Sequence, residues 1–215
     1  TLRWVSAAHT EPLPVHGPEG VEEVVSGFNQ SYKMDATYRH EHHGDTVAPL
    51  AGHGMQAFTH PQPPDGEAAP VYENNGLAVT MIRVEHKPVE PAVAYLISYK
   101  DRSALISGDT VKSANLQKFA EGVDLLVHEG LSLPLVQQMN KAATRAGNGI
   151  LARISVDIPD YHTTPVEAAE IARDANVGHL LFYHVVPATP LPGLEAAWLN
   201  GVDEVFERYT LGRDG

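Results

Sequence analysis

Short apolar runs separated by turn residues fill the second half of the chain, and several of them end on a residue that can hold a metal. The run 77–84 leads to His86, 104–106 to Asp109, 125–127 to His128 and 180–183 to His184. Runs of this length read as buried strands of an α/β protein, in which ligands gather where strands end along one sheet edge. Lys100-Asp101 reads as a hairpin turn between strands over 92–99 and 102–107. Helical spacing follows over 115–121, then over 133–146 up to Gly147. Thr164-Pro165-Val166-Glu167 is a capping box with proline at the first helical position, followed by Ala168, Ile171, Ala172 and Ala175 at helical intervals. A strand over 179–184 and a helix over 193–200 complete this half.

The first half is less regular. Residues 13–16 form a short apolar run closed by Gly17-Pro18, and Val21, Val24, Val25 and Phe28 follow at helical spacing, which predicts strand, turn, helix. From 38 to 75 the sequence is rich in His, Pro, Gly and Ala with little periodicity, and residues 44–75 are expected to form an irregular insertion or lid.

Composition narrows the chemistry. With 215 residues and 43% hydrophobic content the chain is expected to fold as one domain, 1–215, with a substantial core. It has no cysteine, so disulfides and thiolate ligands are excluded and any metal must be held by His, Asp or Glu. That donor set suits Zn²⁺ or Mn²⁺. Fifteen basic against 27 acidic residues give a net charge of −12, which argues against nucleic acid as a partner and in favour of a small-molecule ester. No apolar run approaches the roughly 20 residues needed to cross a bilayer, so a soluble protein of cytoplasm or periplasm, without membrane contact, is expected.

Among individual residues, Gly108 lets the backbone turn sharply so that Asp109 projects from its strand end, where a carboxylate can bridge two cations. Two-residue alternation puts His184 on the same face as Phe182, with Tyr183 opposite. His86 precedes the stiff Lys87-Pro88-Val89-Glu90-Pro91 segment. His40-Glu41-His42-His43-Gly44-Asp45 looks like a ligand cluster, with His40 and His42 on one face of an extended segment, but lacks an Asp-His ending and follows the strand–helix unit; His9, His16, His53, His60 and His179 have no convergent partners and read as surface or loop residues.

Taken in order, His86-Lys87-Pro88, Ser107-Gly108-Asp109-Thr110, His128-Glu129, His162-Thr163-Thr164 and Tyr183-His184 resemble the motifs of metallo-β-lactamase-fold hydrolases, in the branch of ribonuclease Z and the arylsulfatase-like and phosphodiesterase-like enzymes. The resemblance implies an αββα sandwich, here incomplete at its N-terminus. It implies that His86 binds a first metal, that Asp109 bridges two and that His184 binds the second, with Zn²⁺ expected. Glu129 would orient His162 to protonate a leaving group. The branch's His-x-His-x-Asp-His string does not occur in the 215 residues. The expectation is that the chain as given starts after it, so that three ligands alone would hold one ion weakly.

The leading expectation is thus a metal-dependent hydrolase acting through a metal-activated water on a phosphodiester, sulfate ester or other small ester, with a homodimer allowed. The alternatives are a catalytically incomplete remnant serving as a binding or assembly partner, and a tRNA 3′-processing endonuclease.

Overall fold

The computed structural model describes residues 9–189 and 193–213, which fall in two units, Thr1–Gln62 and Pro63–Gly215. In the first unit β1 (Leu13–Gly17) pairs in parallel with β2 (Met55–Thr59), and α1 (Val21–Ser31) lies against both strands. The predicted strand, turn and helix are all present. Glycine suits the turn at 17, because a Cβ there would lie 3.1 Å from the Val21 side chain, which would have to shift slightly.

Residues 38–43 are not irregular: α2 (Lys33–His43) covers them and ends at Gly44, whose φ is 67°. Only Ala36 of α2 is buried, so the helix shows no apolar periodicity; an Asp35–Arg39 pair at 2.7 Å, one turn apart, supports it instead. His40 and His42 therefore stand on opposite sides of a helix and do not share a face. The stretch 44–75 likewise holds regular structure, with a 3₁₀ turn at Leu50–Gly52 and all of β2 and β3 (Ala68–Asn74). Asn75-Gly76, with φ values of 49° and 80°, joins β3 to β4 (Leu77–Arg83) as a tight hairpin.

The second unit is built on a seven-stranded sheet in the order β3-β4-β5-β6-β7-β8-β9, with β5 at Val93–Tyr99, β6 at Arg102–Ile106, β7 at Leu125–Leu131, β8 at His179–Val186 and β9 at Tyr209–Leu211. From β3 to β6 the neighbours are antiparallel, and from β6 to β9 they are parallel. One row of side chains, Leu96, Leu105, Leu126, Leu180 and Tyr209, crosses five strands in register. Helices α3 (Ala114–Phe119), α6 (Pro165–Asp174) and α7 (Leu194–Trp198) add Leu116, Ile171 and Trp198 to the same core. Burial of each such side chain contributes about 1.5–3 kcal/mol. Between β7 and α6 lie α4 (Leu133–Arg145) and α5 (Gly149–Asp157). The α6 capping box is formed as the sequence indicates. Among the described residues no helix is long and apolar enough to cross a membrane.

Strand β8, like β3 between Pro70 and Tyr72, departs from simple alternation. The β7–β8 register shifts between Glu129 and Gly130, which face Tyr183 and Val185, leaving His184 as an extra residue with φ of 44°. Phe182 is fully buried whereas the His184 side chain is 46% exposed, so the two do not share a face. The β-bulge re-aims the histidine.

Candidate functional site

The parallel strands β6, β7 and β8 bring the ends that follow them to one edge of the sheet. After β6 the chain turns at Gly108, whose φ is 64° and where a Cβ would lie 2.6 Å from the Val93 carbonyl oxygen. Only glycine fits that approach, and the turn delivers Asp109. The bulge in β8 delivers His184, and its Nε2 stands 3.6 Å from Asp109 Oδ2.

Between these groups lies His162. Its ring is 5.6 Å from that of His86 on one side and 5.6 Å from that of His184 on the other. Tyr161 closes the same cluster, 4.9 Å from the His86 ring. Behind His162 is Glu129, fully buried on β7, with Oε2 3.2 Å from His162 Nδ1. The N–H does not point along that line, so charge rather than a directed hydrogen bond joins the two. Burial pulls the His162 pKa down, but the adjacent Glu129 carboxylate and the Asp109 charge outweigh it and leave the imidazole above its ordinary value.

A web of hydrogen bonds fixes this arrangement. Glu129 Oε1 accepts from the Thr163 amide at 2.8 Å, and the Thr163 hydroxyl donates to the Thr110 carbonyl at 2.6 Å. The Glu85 amide donates to Thr110 Oγ1 at 3.2 Å, and the Glu129 amide to Ser107 Oγ at 3.2 Å. Four segments, preceding His86, around Asp109, at Glu129 and after His162, are thus tied together. Ser107, Thr110 and Thr163 are all buried, and the sequence reading places them within motifs without giving them a role. Their signal was adjacency, since each flanks a residue already singled out.

His128 points the other way. It is fully buried, Nδ1 donates to the Glu129 carbonyl at 2.8 Å, and burial holds its pKa below the ordinary value. His40 Nδ1 pairs with the Ala48 carbonyl at 2.9 Å. His16 and His60, expected to stand alone, meet at 3.0 Å between Nδ1 and Nε2, with Phe58 stacked on His16. His179 Nε2 reaches Thr210 Oγ1 at 2.9 Å.

His86, Asp109 and His184 offer imidazole nitrogen and carboxylate oxygen, the donor chemistry of a zinc site. The Asp109–His184 approach fits two ligands of one ion. Among the described residues, however, no three metal-capable side chains stand close enough together to hold an ion by themselves.

No family model matches the chain. Ribonuclease Z of Mycobacterium tuberculosis strain H37Ra is 32% identical over 216 residues, covering 98% of this chain and 71% of the relative. The metallo-β-lactamase-fold protein YhfI of Bacillus subtilis superposes with a TM-score of 0.57 at 19% identity, over 97% of this chain and 65% of YhfI. The short form of human tRNase Z gives a TM-score of 0.57 at 17% identity, over 95% of this chain and 66% of its own length. The chain thus spans about two thirds of these two solved proteins.

These relatives overturn the expectation that nucleic acid is not a partner, because the sequence relatives are named ribonucleases. Net charge sums every surface of the molecule, whereas an RNA backbone meets only one of them. With the strand-end motifs brought to one edge, this sequence identity and the shared fold, the chain belongs to the ribonuclease Z family of metallo-β-lactamase-fold, metal-dependent hydrolases.

Proposed function

We propose that the chain carries the proton-donor side and part of the metal-binding side of a centre that hydrolyses an RNA phosphodiester, with the 3′ end of precursor tRNA as substrate. The observation that carries this reading is the buried Glu129–His162 pair at 3.2 Å, set between His86 and His184. The relatives' name supplies the substrate class.

In this reading His86, Asp109 and His184 would hold zinc, together with ligands from outside this set. A zinc pair supplies a water that ionises near neutral pH and positive charge opposite the phosphoryl oxygens. The chain's own residues do the rest. His162, kept protonated by Glu129 and Asp109, donates its proton to the departing ribose oxygen, which is too basic to leave readily as an alkoxide. Thr163 and Thr110 hold Glu129 so that its free oxygen faces the imidazole.

The test is cleavage of a precursor tRNA bearing a 3′ extension by the full-length protein, with zinc, after chelation, and after zinc is restored. Zinc-dependent release of the extension supports the reading. Hydrolysis of bis(p-nitrophenyl) phosphate with no cleavage of the RNA would sink the substrate assignment.

A further inference from the structure

The β8 bulge at His184 is a conformation that needs support. A non-glycine residue at positive φ persists only where its surroundings hold it, and His184 has φ of 44°. The support comes from the end of α7. Trp198 is 1% exposed and its ring meets Phe182 edge-on at 5.0 Å. Its Nε1–H donates to the Val186 carbonyl at 3.0 Å, two residues past the bulge, and that same carbonyl accepts from the Ser132 amide at 2.8 Å. On β7, the residue facing the far side of the bulge is Gly130, where a Cβ would lie 2.7 Å from both Cη2 and Cζ2 of Trp198. The indole is thus seated on one strand at Gly130 and bonded to the other at Val186, spanning the bulge.

Straightening β8 by one residue would restore two-residue alternation and turn position 184 to the buried face of Phe182, away from Asp109. We propose that Trp198, seated on Gly130, is the positioning residue that locks the bulge and thereby aims His184 at Asp109. This rests on the reading of His184 as a metal ligand.

The test compares Trp198→Phe, Gly130→Ala and the double variant in the full-length protein. Zinc affinity is measured by competition with a chromogenic chelator, alongside the urea-unfolding midpoint. Trp198→Phe removes the N–H and the atoms over Gly130; Gly130→Ala pushes the indole off its seat. Each is expected to weaken zinc binding by about 10–100-fold, the range for residues that orient a ligand. In the double variant the new methyl fills the space the larger ring vacates but the bond to Val186 stays missing, so zinc affinity returns only to the level of Trp198→Phe or a little above it. Single variants that lower the unfolding midpoint but leave zinc affinity at the wild-type value would reduce Trp198 to a core residue and overturn the proposal. If one single variant does not fold, the other carries the same comparison. If the wild-type protein binds no zinc, the metal reading fails, and a crystal structure of the Trp198→Phe protein decides the positioning alone. Negative φ at 184 with the Asp109 separation opened well beyond 3.6 Å supports it, and an unchanged bulge overturns it.

Discussion

Glu129 and His162, 33 residues apart in sequence, face each other across 3.2 Å with both side chains almost wholly removed from solvent. A buried carboxylate beside a buried imidazole stabilises the protonated ring, and that is the state a proton donor needs.

Glu129→Gln keeps an oxygen to accept from the Thr163 amide but removes the charge facing His162. The kcat for RNA is expected to fall by about 10²-fold, with KM for the RNA little changed. The sign of the pH effect is fixed. Glu129 raises the His162 pKa, so in its absence the imidazole loses its proton at lower pH, and the alkaline limb of the kcat profile moves to lower pH. Steady-state kinetics across the pH range check both effects.

Gly108→Ala places a Cβ 2.6 Å from the Val93 carbonyl oxygen at a backbone φ of 64°. Left-handed backbone alone costs an alanine roughly 1–2 kcal/mol, and the backbone contact adds to it. Urea unfolding is expected to report a loss of at least that size, and elemental analysis to find less metal per chain, since Asp109 follows directly.

Thr164→Ala tests whether helix α6 is secured at its start. Thr164 Oγ1 accepts from the Glu167 amide at 3.3 Å, and Glu167 Oε2 accepts from the Thr164 amide at 2.9 Å. Loss of the cap is expected to lower stability by about 1 kcal/mol in urea unfolding. A double variant that also carries Glu167→Ala should lose less than the sum of the single losses, because the two bonds form one box.

His128 controls a separate pH effect. Its folded pKa is depressed by burial, so the unfolded chain binds a proton that the folded chain resists. The stability it permits is fully present above the unfolded value of about 6.5 and is lost as pH falls below that. Unfolding midpoints of metal-free protein are expected to drop from pH 7 to pH 5, more steeply in wild type than in His128→Asn, whose amide can still donate to the Glu129 carbonyl.

Much of the second unit was legible because it obeys simple periodicities. Strands 77–83 and 93–99, the Lys100-Asp101 hairpin and the Thr164–Glu167 box all lie where the pattern of apolar and capping residues puts them. The set His86, Asp109, Glu129, His162 and His184 was legible from motif order, and the structure gathers those five side chains. Other features follow rules that periodicity does not carry. Helix α2 buries a single alanine, so it has no apolar stripe to read. β3 was hidden in a Pro-rich stretch, although Asn75-Gly76 announced its hairpin. The aim of His184 depends on a bulge, and a bulge is set by the partner strand, where Gly130 and Trp198 meet. Net charge misled about the partner because it has no direction.

The central claim is that His162 gives its proton to a basic leaving oxygen. It is tested most directly by comparing His162→Ala with wild type on two substrates of the zinc-loaded, full-length protein. Precursor tRNA loses a ribose oxygen that needs a proton, and bis(p-nitrophenyl) phosphate loses a nitrophenolate that does not. The account predicts that kcat for the RNA falls by about 10²–10⁴-fold and for the nitrophenyl ester by far less. Equal losses on both substrates would contradict it and leave His162 a structural residue.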